Sequence, residues 1–232
     1  MVLVWLTIPA SAQIYDAAKD FSLVQNPNGA WRYGSSAHLN SPFVLSLHPV
    51  AHGNSVAGWS PSAESPGYPF TMTAAFNVQW GTSLFAPGWL SLHPESFGAY
   101  NVVKWVASKP GLYHVKGVFD SFNSQSTGRI ATVDLHLRHN RSGLWQNTLD
   151  ENGARAETAH TLKLSAGDHL DFVVGSAGSS DFDTVGFQAT VTYLPPTGPL
   201  VPVPESRTLG GLAAACLAAF AVFRRWRHRA DA

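Results

Sequence analysis

Three kinds of side chain between residues 13 and 195 could carry chemistry. They are six tryptophans, nine histidines and a scatter of carboxylates. Indole faces stack on the apolar C–H face of sugar rings, and they also fill the cores of β-sandwiches. Trp59 and Trp89 lie in Gly58-Trp59-Ser60-Pro61 and Pro87-Gly88-Trp89, so they are expected on loops, where they would stack on a glycan. Trp31, Trp80, Trp105 and Trp145 are expected in the core. Hydrolysis of a glycoside needs two carboxyl groups facing each other across a cleft. Glu64, Glu95, Glu151, Glu157 and Asp120 are the candidates, and their spacing pairs none of them. Asp181 and Asp183, with Asp168 or Asp171, are candidates for holding calcium, which takes several loop oxygens; turns and strand edges use aspartate equally well. His136-Leu137-Arg138-His139 is an H-x-x-H, and His48 and His52 stand four apart. On a strand, His136 and His139 point to opposite faces, and zinc needs three or four clustered ligands. There is no Gly-rich phosphate loop and no G-x-S-x-G, so no cofactor is expected.

The elements that must position these groups read as short strands. Alternation of apolar and polar residues predicts a strand over Ile130–Leu137, with Ala131, Val133, Leu135 and Leu137 on one face. Thr132, Asp134, His136 and Arg138 take the other face. Leu112–Phe119 follows the Lys109-Pro110-Gly111 turn, with Tyr113, Val115 and Phe119 inward. Tyr100–Val106 precedes that turn, which predicts a hairpin. His169–Val174 and Gly186–Leu194 repeat the pattern, Met72–Trp80 is a further strand, and Asp150–Gly153 reads as a hairpin turn. Ser35–Pro69, rich in Ser, Pro, Gly and His, reads as long surface loops. Seven or more such strands predict an all-β fold, an antiparallel two-sheet sandwich with a jelly-roll-like arrangement, over residues 13–195. That segment carries 10 Lys+Arg against 13 Asp+Glu, a net charge of −3 with His neutral. A nucleic-acid surface would need the opposite balance.

The two ends have their own logic. Residues 2–8 are apolar and Pro9-Ala10-Ser11-Ala12 ends in a small-x-small site, so residues 1–12 read as a signal peptide, its basic start expected upstream. Prolines from Pro195 to Pro204 make a stiff linker, residues 196–207. Residues 208–223 form an uncharged stretch of 16 residues, about 24 Å as a helix, a short span for a hydrocarbon core of about 30 Å. Arg207 flanks it on one side, and Arg224, Arg225, Arg227 and Arg229 follow it in a basic tail, residues 224–232. Arginines at both ends can snorkel, and the positive cluster places the C-terminus in the cytoplasm. The single cysteine, Cys216, lies in this stretch, so residues 13–195 cannot form a disulfide.

Val203-Pro204-Glu205, then a short apolar helix, then a terminal arginine cluster, resembles the PEP-CTERM sorting signal of Gram-negative bacteria. The family reads Pro-Glu-Pro where this chain has Pro204-Glu205-Ser206. The resemblance implies export across the inner membrane and a transient anchor there. It also implies recognition by an exosortase-type membrane peptidase, then release to the cell surface or beyond. Tyr15-Asp16, Asp20-Phe21-Ser22, Asn26-Pro27-Asn28-Gly29 and Trp31-Arg32-Tyr33-Gly34 are similar to the openings of other tailed, exported bacterial proteins of unassigned function. Leu92-His93-Pro94, Val103-Lys104-Trp105 and Gly167-Asp168 extend that likeness, and the body is also similar to carbohydrate-binding β-sandwich modules attached to secreted enzymes. The expectation is a non-catalytic surface or matrix protein that binds polysaccharide. A glycan hydrolase or lyase and a structural protein of the envelope are the alternatives.

Overall fold

Strict alternation along Val133, Leu135 and Leu137 buries one side of a strand and leaves the other to polar groups, and a second sheet must cover the buried side. The computed structural model describes residues 12–63, 68–80, 83–95, 98–122, 132–150, 153–178 and 183–196. Residues 1–11, the linker from 197, the 208–223 stretch and the basic tail lie outside the described residues, as do Glu64, Glu151 and Asp181. Among the described residues every regular element is a strand, and no helix is long and apolar enough to cross a membrane.

One sheet runs in the order β14 (Arg155–Leu164), β11 (Gly111–Asp120), β16 (Val185–Leu194), β9 (Leu90–His93), β6 (Phe70–Ala74), β5 (Val56–Ser60), β4 (His48–His52). β1 (Gln13–Asp16) pairs with the C-terminal part of β16, Thr190–Tyr193, while β9 takes its N-terminal part. The second sheet runs β13 (Ser142–Leu149), β12 (Val133–His139), β15 (His169–Ser176), β10 (Tyr100–Val106), β2 (Trp31–Ser36), β3 (Val44–Leu45). β7 (Val78–Trp80) and β8 (Ser83–Phe85) form a separate hairpin. All pairings are antiparallel. Counting β1 and β10–β16 as strands one to eight, the sheets read 1-8-3-6 and 2-7-4-5, which is the jelly-roll order.

Aromatic rings join the two sheets. Phe172 of β15 meets Phe187 of β16 at 5.2 Å, and Trp105 of β10 meets Tyr113 of β11 edge-on at 5.1 Å. Phe119 of β11 stacks on Trp145 of β13 at 5.9 Å. These pairs supply apolar burial, the dominant source of stability, with a smaller gain from ring quadrupole contact. A second, smaller core of Val50, Val56, Phe70, Met72, Ala74 and Phe85 lies at the β4–β5–β6 end, with Val78 and Trp80 packed against it.

Four local expectations change, the first being Met72–Trp80, which divides into the end of β6 and the separate β7. Tyr100–Val106 and the strand after Lys109-Pro110-Gly111 are not a hairpin, because β10 and β11 belong to different sheets. The turn after Leu149 likewise carries the chain from β13 in one sheet to β14 in the other. In a jelly roll, short connections cross the sandwich, and turn composition does not distinguish crossing from pairing. Ser35–Pro69 is not all loop: it contains β3, β4 and β5. Gly58 there packs so closely on β6 that a Cβ would lie 2.0 Å from the Thr71 carbonyl. The polar composition of this region reflects a half-exposed, tightly approached strand pair.

Candidate functional site

The outer face of the second sheet gathers the polar side chains that its inner face excludes. Asp134, His136 and Arg138 alternate with the buried Val133, Leu135 and Leu137 on β12. Strand register sets their neighbours. On β13, Thr148, Gln146 and Gly143 stand opposite Asp134, His136 and Arg138, with a bulge between Leu137 and Arg138. On β15, Gly175, Val173 and Asp171 stand opposite the same three residues. Lys104 of β10 lies opposite Asp171, and Arg32 of β2 lies opposite Lys104.

A loop, residues 37–43, folds back over this face. Arg138 holds it: the guanidinium donates to the Leu39 carbonyl, to Asn40 Oδ1 at 2.8 Å and to the Arg141 carbonyl. Phe43 sits under the Lys104 ammonium, 5.0 Å from nitrogen to ring centre. This cover explains why β15 is buried on both faces, with Asp171 and Val173 as closed to solvent as the core side. Beneath the loop is a void of about 20 Å³ bounded by Phe43, Val102, Lys104 and Arg138, about enough for one water.

Beside the loop the face opens into a groove of about 300 Å³. Leu39, Leu144 and Trp145 give it apolar walls; His136, Arg138 and Gln146 give it donors and acceptors. Its size falls at the lower end of small-molecule sites, about 300–1,000 Å³. At its margin Tyr100 reaches across β15 to Asp134. Only a glycine permits this, since a Cβ on Gly175 would lie 2.2 Å from the Tyr100 ring and 2.4 Å from Asp134 Oδ1. His136 Nε2 lies 2.8 Å from Asp134 Oδ2, and the Tyr100 ring meets the His136 ring edge-on at 6.2 Å. Burial pushes the Tyr100 hydroxyl pKa up, and the Asp134 carboxylate raises it further. The hydroxyl therefore keeps its proton as a hydrogen-bond donor.

A second polar cluster closes one end of the sheet. Lys104 Nζ is 2.7 Å from Asp171 Oδ1, and His169 Nε2 is 3.6 Å from Asp171 Oδ2. His139 Nε2 stands 3.4 Å from Asp168 Oδ2. Asp168 also accepts from the Ser165 backbone N–H and from Asn140 Nδ2, each at 2.8 Å; the Ser165 bond is the main reason its pKa is lowered. His136 and His139 thus serve different aspartates.

Trp59 is 7% exposed, belongs to the main core, and donates its indole N–H to the Ser22 carbonyl at 2.7 Å. Its ring has no face left for a sugar, because the strand of the glycine-rich segment packs inward. Trp89 is half-buried on the loop before β9, edge-on to Phe122 at 5.0 Å. Trp31 and Trp105 are fully buried, whereas Trp80 and Trp145 are half-buried. His52 stacks on Trp80 at 3.6 Å.

Asp120 caps the Phe122 N–H, Glu157 pairs with Arg155 at 2.7 Å on the exposed side of β14, and Glu95 lies on the loop after β9. None of these three lines the groove. Asp183 is buried and accepts from the Thr132 N–H at 3.1 Å. Among the described residues no group of three or more His, Cys, Asp or Glu could hold a metal ion. The groove residues were half-legible in the sequence: the β12 alternation put Asp134, His136 and Arg138 on one face, but nothing local indicated that Tyr100, Trp145 and Gln146 would join them.

No protein-family model and no curated protein matches the chain. Among solved structures it is similar to a family 35 carbohydrate binding module from Clostridium thermocellum, at 15% identity over 52% of this chain and 86% of that one, TM-score 0.32. It is also similar to CBM51 from Clostridium perfringens GH95 in complex with methyl-galactose, at 10% identity over 68% and 99%, TM-score 0.35. GITRL from rabbit matches at 13% identity over 72% and 97%, TM-score 0.28. At these values the likeness extends to sandwiches of unrelated roles and assigns no ligand.

Proposed function

We propose that this chain is an exported surface protein whose sandwich binds polysaccharide without cleaving it. The observation that carries the reading is the groove of about 300 Å³ on the outer face of the second sheet, where apolar walls meet three convergent polar side chains. A sugar presents that same mixture, an apolar C–H face and a ring of hydroxyls. Tyr100 and Asp134 extend the polar margin beyond His136. Trp89, half-buried at a loop, remains a second stacking candidate. In this reading residues 1–12 direct export. Val203, Pro204 and Glu205, with the apolar stretch and its flanking arginines, form a sorting signal for an exosortase-type peptidase.

Affinity electrophoresis through gels carrying a panel of polysaccharides tests the binding reading. At least one polymer is expected to retard the protein, and Gln146→Ala is expected to weaken that retardation by about tenfold, the effect of losing one good polar contact. Trp89→Ala tests the loop site separately. Normal mobility in every gel would remove the reading.

A further inference from the structure

We infer that the groove selects an acidic saccharide, one carrying a carboxylate or a sulfate ester; this rests on the polysaccharide-binding reading above. Residues 13–195 have a net charge of −3, yet Arg138 lines the groove, and Lys104 and Arg141 line the void beside it. Arg32, Lys104, Asp171 and Arg138 form one cross-strand row over β2, β10, β15 and β12, and Arg141 lies on the turn two residues beyond β12. Lys104 is neutralised by Asp171 at 2.7 Å. Asp134 is already engaged by His136.

Arg138 is different. It is 7% exposed, and its three hydrogen bonds go to two backbone carbonyls and one amide oxygen. Among the described residues no carboxylate lies in ion-pair contact with it. Arg138 is held by neutral oxygens alone, and Asp171, opposite it on β15, is already paired with Lys104, so an arriving anion offsets part of the cost of burying the guanidinium. Of the five N–H groups of the guanidinium, the three bonds leave Nε–H and one Nη1–H for a ligand. Arg138 lines the open groove as well as the void under the loop, so a bound anion can reach it. Arg141, exposed on the adjoining turn, adds a second positive charge. A carboxylate or sulfate placed between Leu39 and Gln146 would meet a single charge-assisted donor of Arg138, while the rest of the sugar meets Leu144 and Trp145.

The test uses the full chain with polygalacturonate and the same polymer after carboxyl reduction; dextran sulfate and dextran form a second arm. The charged member of at least one pair is expected to bind about tenfold or more tighter than its neutral partner, with affinity falling as salt rises. The arm that responds tells carboxylate from sulfate. Arg138→Gln should abolish the preference. Because that variant also releases the loop, Arg141→Gln is the second probe: it keeps the Arg141 carbonyl bond and should weaken charged-polymer binding about threefold. Lys163→Gln, on the other sheet, should change nothing. Equal binding of charged and neutral partners would overturn the inference and leave polysaccharide binding standing. Folded Arg138→Gln and Arg141→Gln proteins that keep the full preference would overturn it too. Retention of none of the four polymers would overturn the inference and count against the polysaccharide reading.

Discussion

Gly175 decides more than its size suggests. Its missing side chain is the space through which Tyr100 reaches Asp134, and through Asp134 the ring of His136 is held at the groove margin. Gly175→Ala would place a methyl group against the Tyr100 ring and the Asp134 carboxylate, so one or both side chains must move. A loss of about 1–3 kcal/mol of stability is expected, the usual cost of overpacking. Thermal melting measures it, and polysaccharide affinity should fall in the same variant. An unchanged melting temperature would show that Tyr100 and Asp134 do not need each other. Trp59 shows the opposite relation between residue and neighbourhood. A tryptophan between glycine and serine-proline looks exposed in sequence, yet Gly58 is there to let β5 approach β6, and the approach carries Trp59 into the core.

At the scale of elements, the end of the second sheet joins β12, β15 and the turn between residues 139 and 142. His169 lies there, near Asp171, Lys104, Arg141 and His139. Burial lowers its pKa first; Lys104, Arg141 and His139 lower it further, and Asp171 opposes them. The folded protein therefore binds a proton at His169 less readily than the unfolded chain does. As pH falls through about 6.5 the unfolded state is protonated first, so stability contributed by neutral His169 is lost on acidification. Asp168 acts in a separate window. Its lowered pKa favours the folded state above the ordinary carboxylate range, and that contribution disappears only as pH falls below about 3.9. Urea unfolding of wild type and His169→Gln at neutral pH and at about pH 5.5 separates the two. The variant, which cannot titrate, is expected to lose less stability over that interval. An equal loss in both proteins would place the acid sensitivity elsewhere.

For the molecule as a whole, the proposed route of export makes a prediction about where the mature chain ends. Intact-mass spectrometry of the protein recovered from its native host is expected to show a start at Gln13 and an end near Glu205, with any attached group visible as added mass. A chain retaining residues 208–229 at the cell surface would argue for a permanent anchor.

What was legible in the sequence follows from locality. Period-two alternation fixed the inward faces of β11, β12 and β16, because side-chain direction along a strand depends only on neighbouring residues. The same alternation placed Asp134, His136 and Arg138 together. Composition and charge balance argued against a nucleic-acid surface without any structure. Partners across strands were not legible, because antiparallel register and sheet membership depend on residues a hundred positions apart: Arg138 meets Leu39, and Ser83 meets Thr184. Whether a turn closes a hairpin or crosses the sandwich is likewise settled by which sheet buries the next strand. The sequence by itself determined an all-β body and its polar strand face. Only the tertiary structure decided that a loop from residue 37 to 43 would cover part of that face, leave a groove beside it, and bury an arginine at the boundary, since that outcome depends on long-range packing that no local pattern encodes.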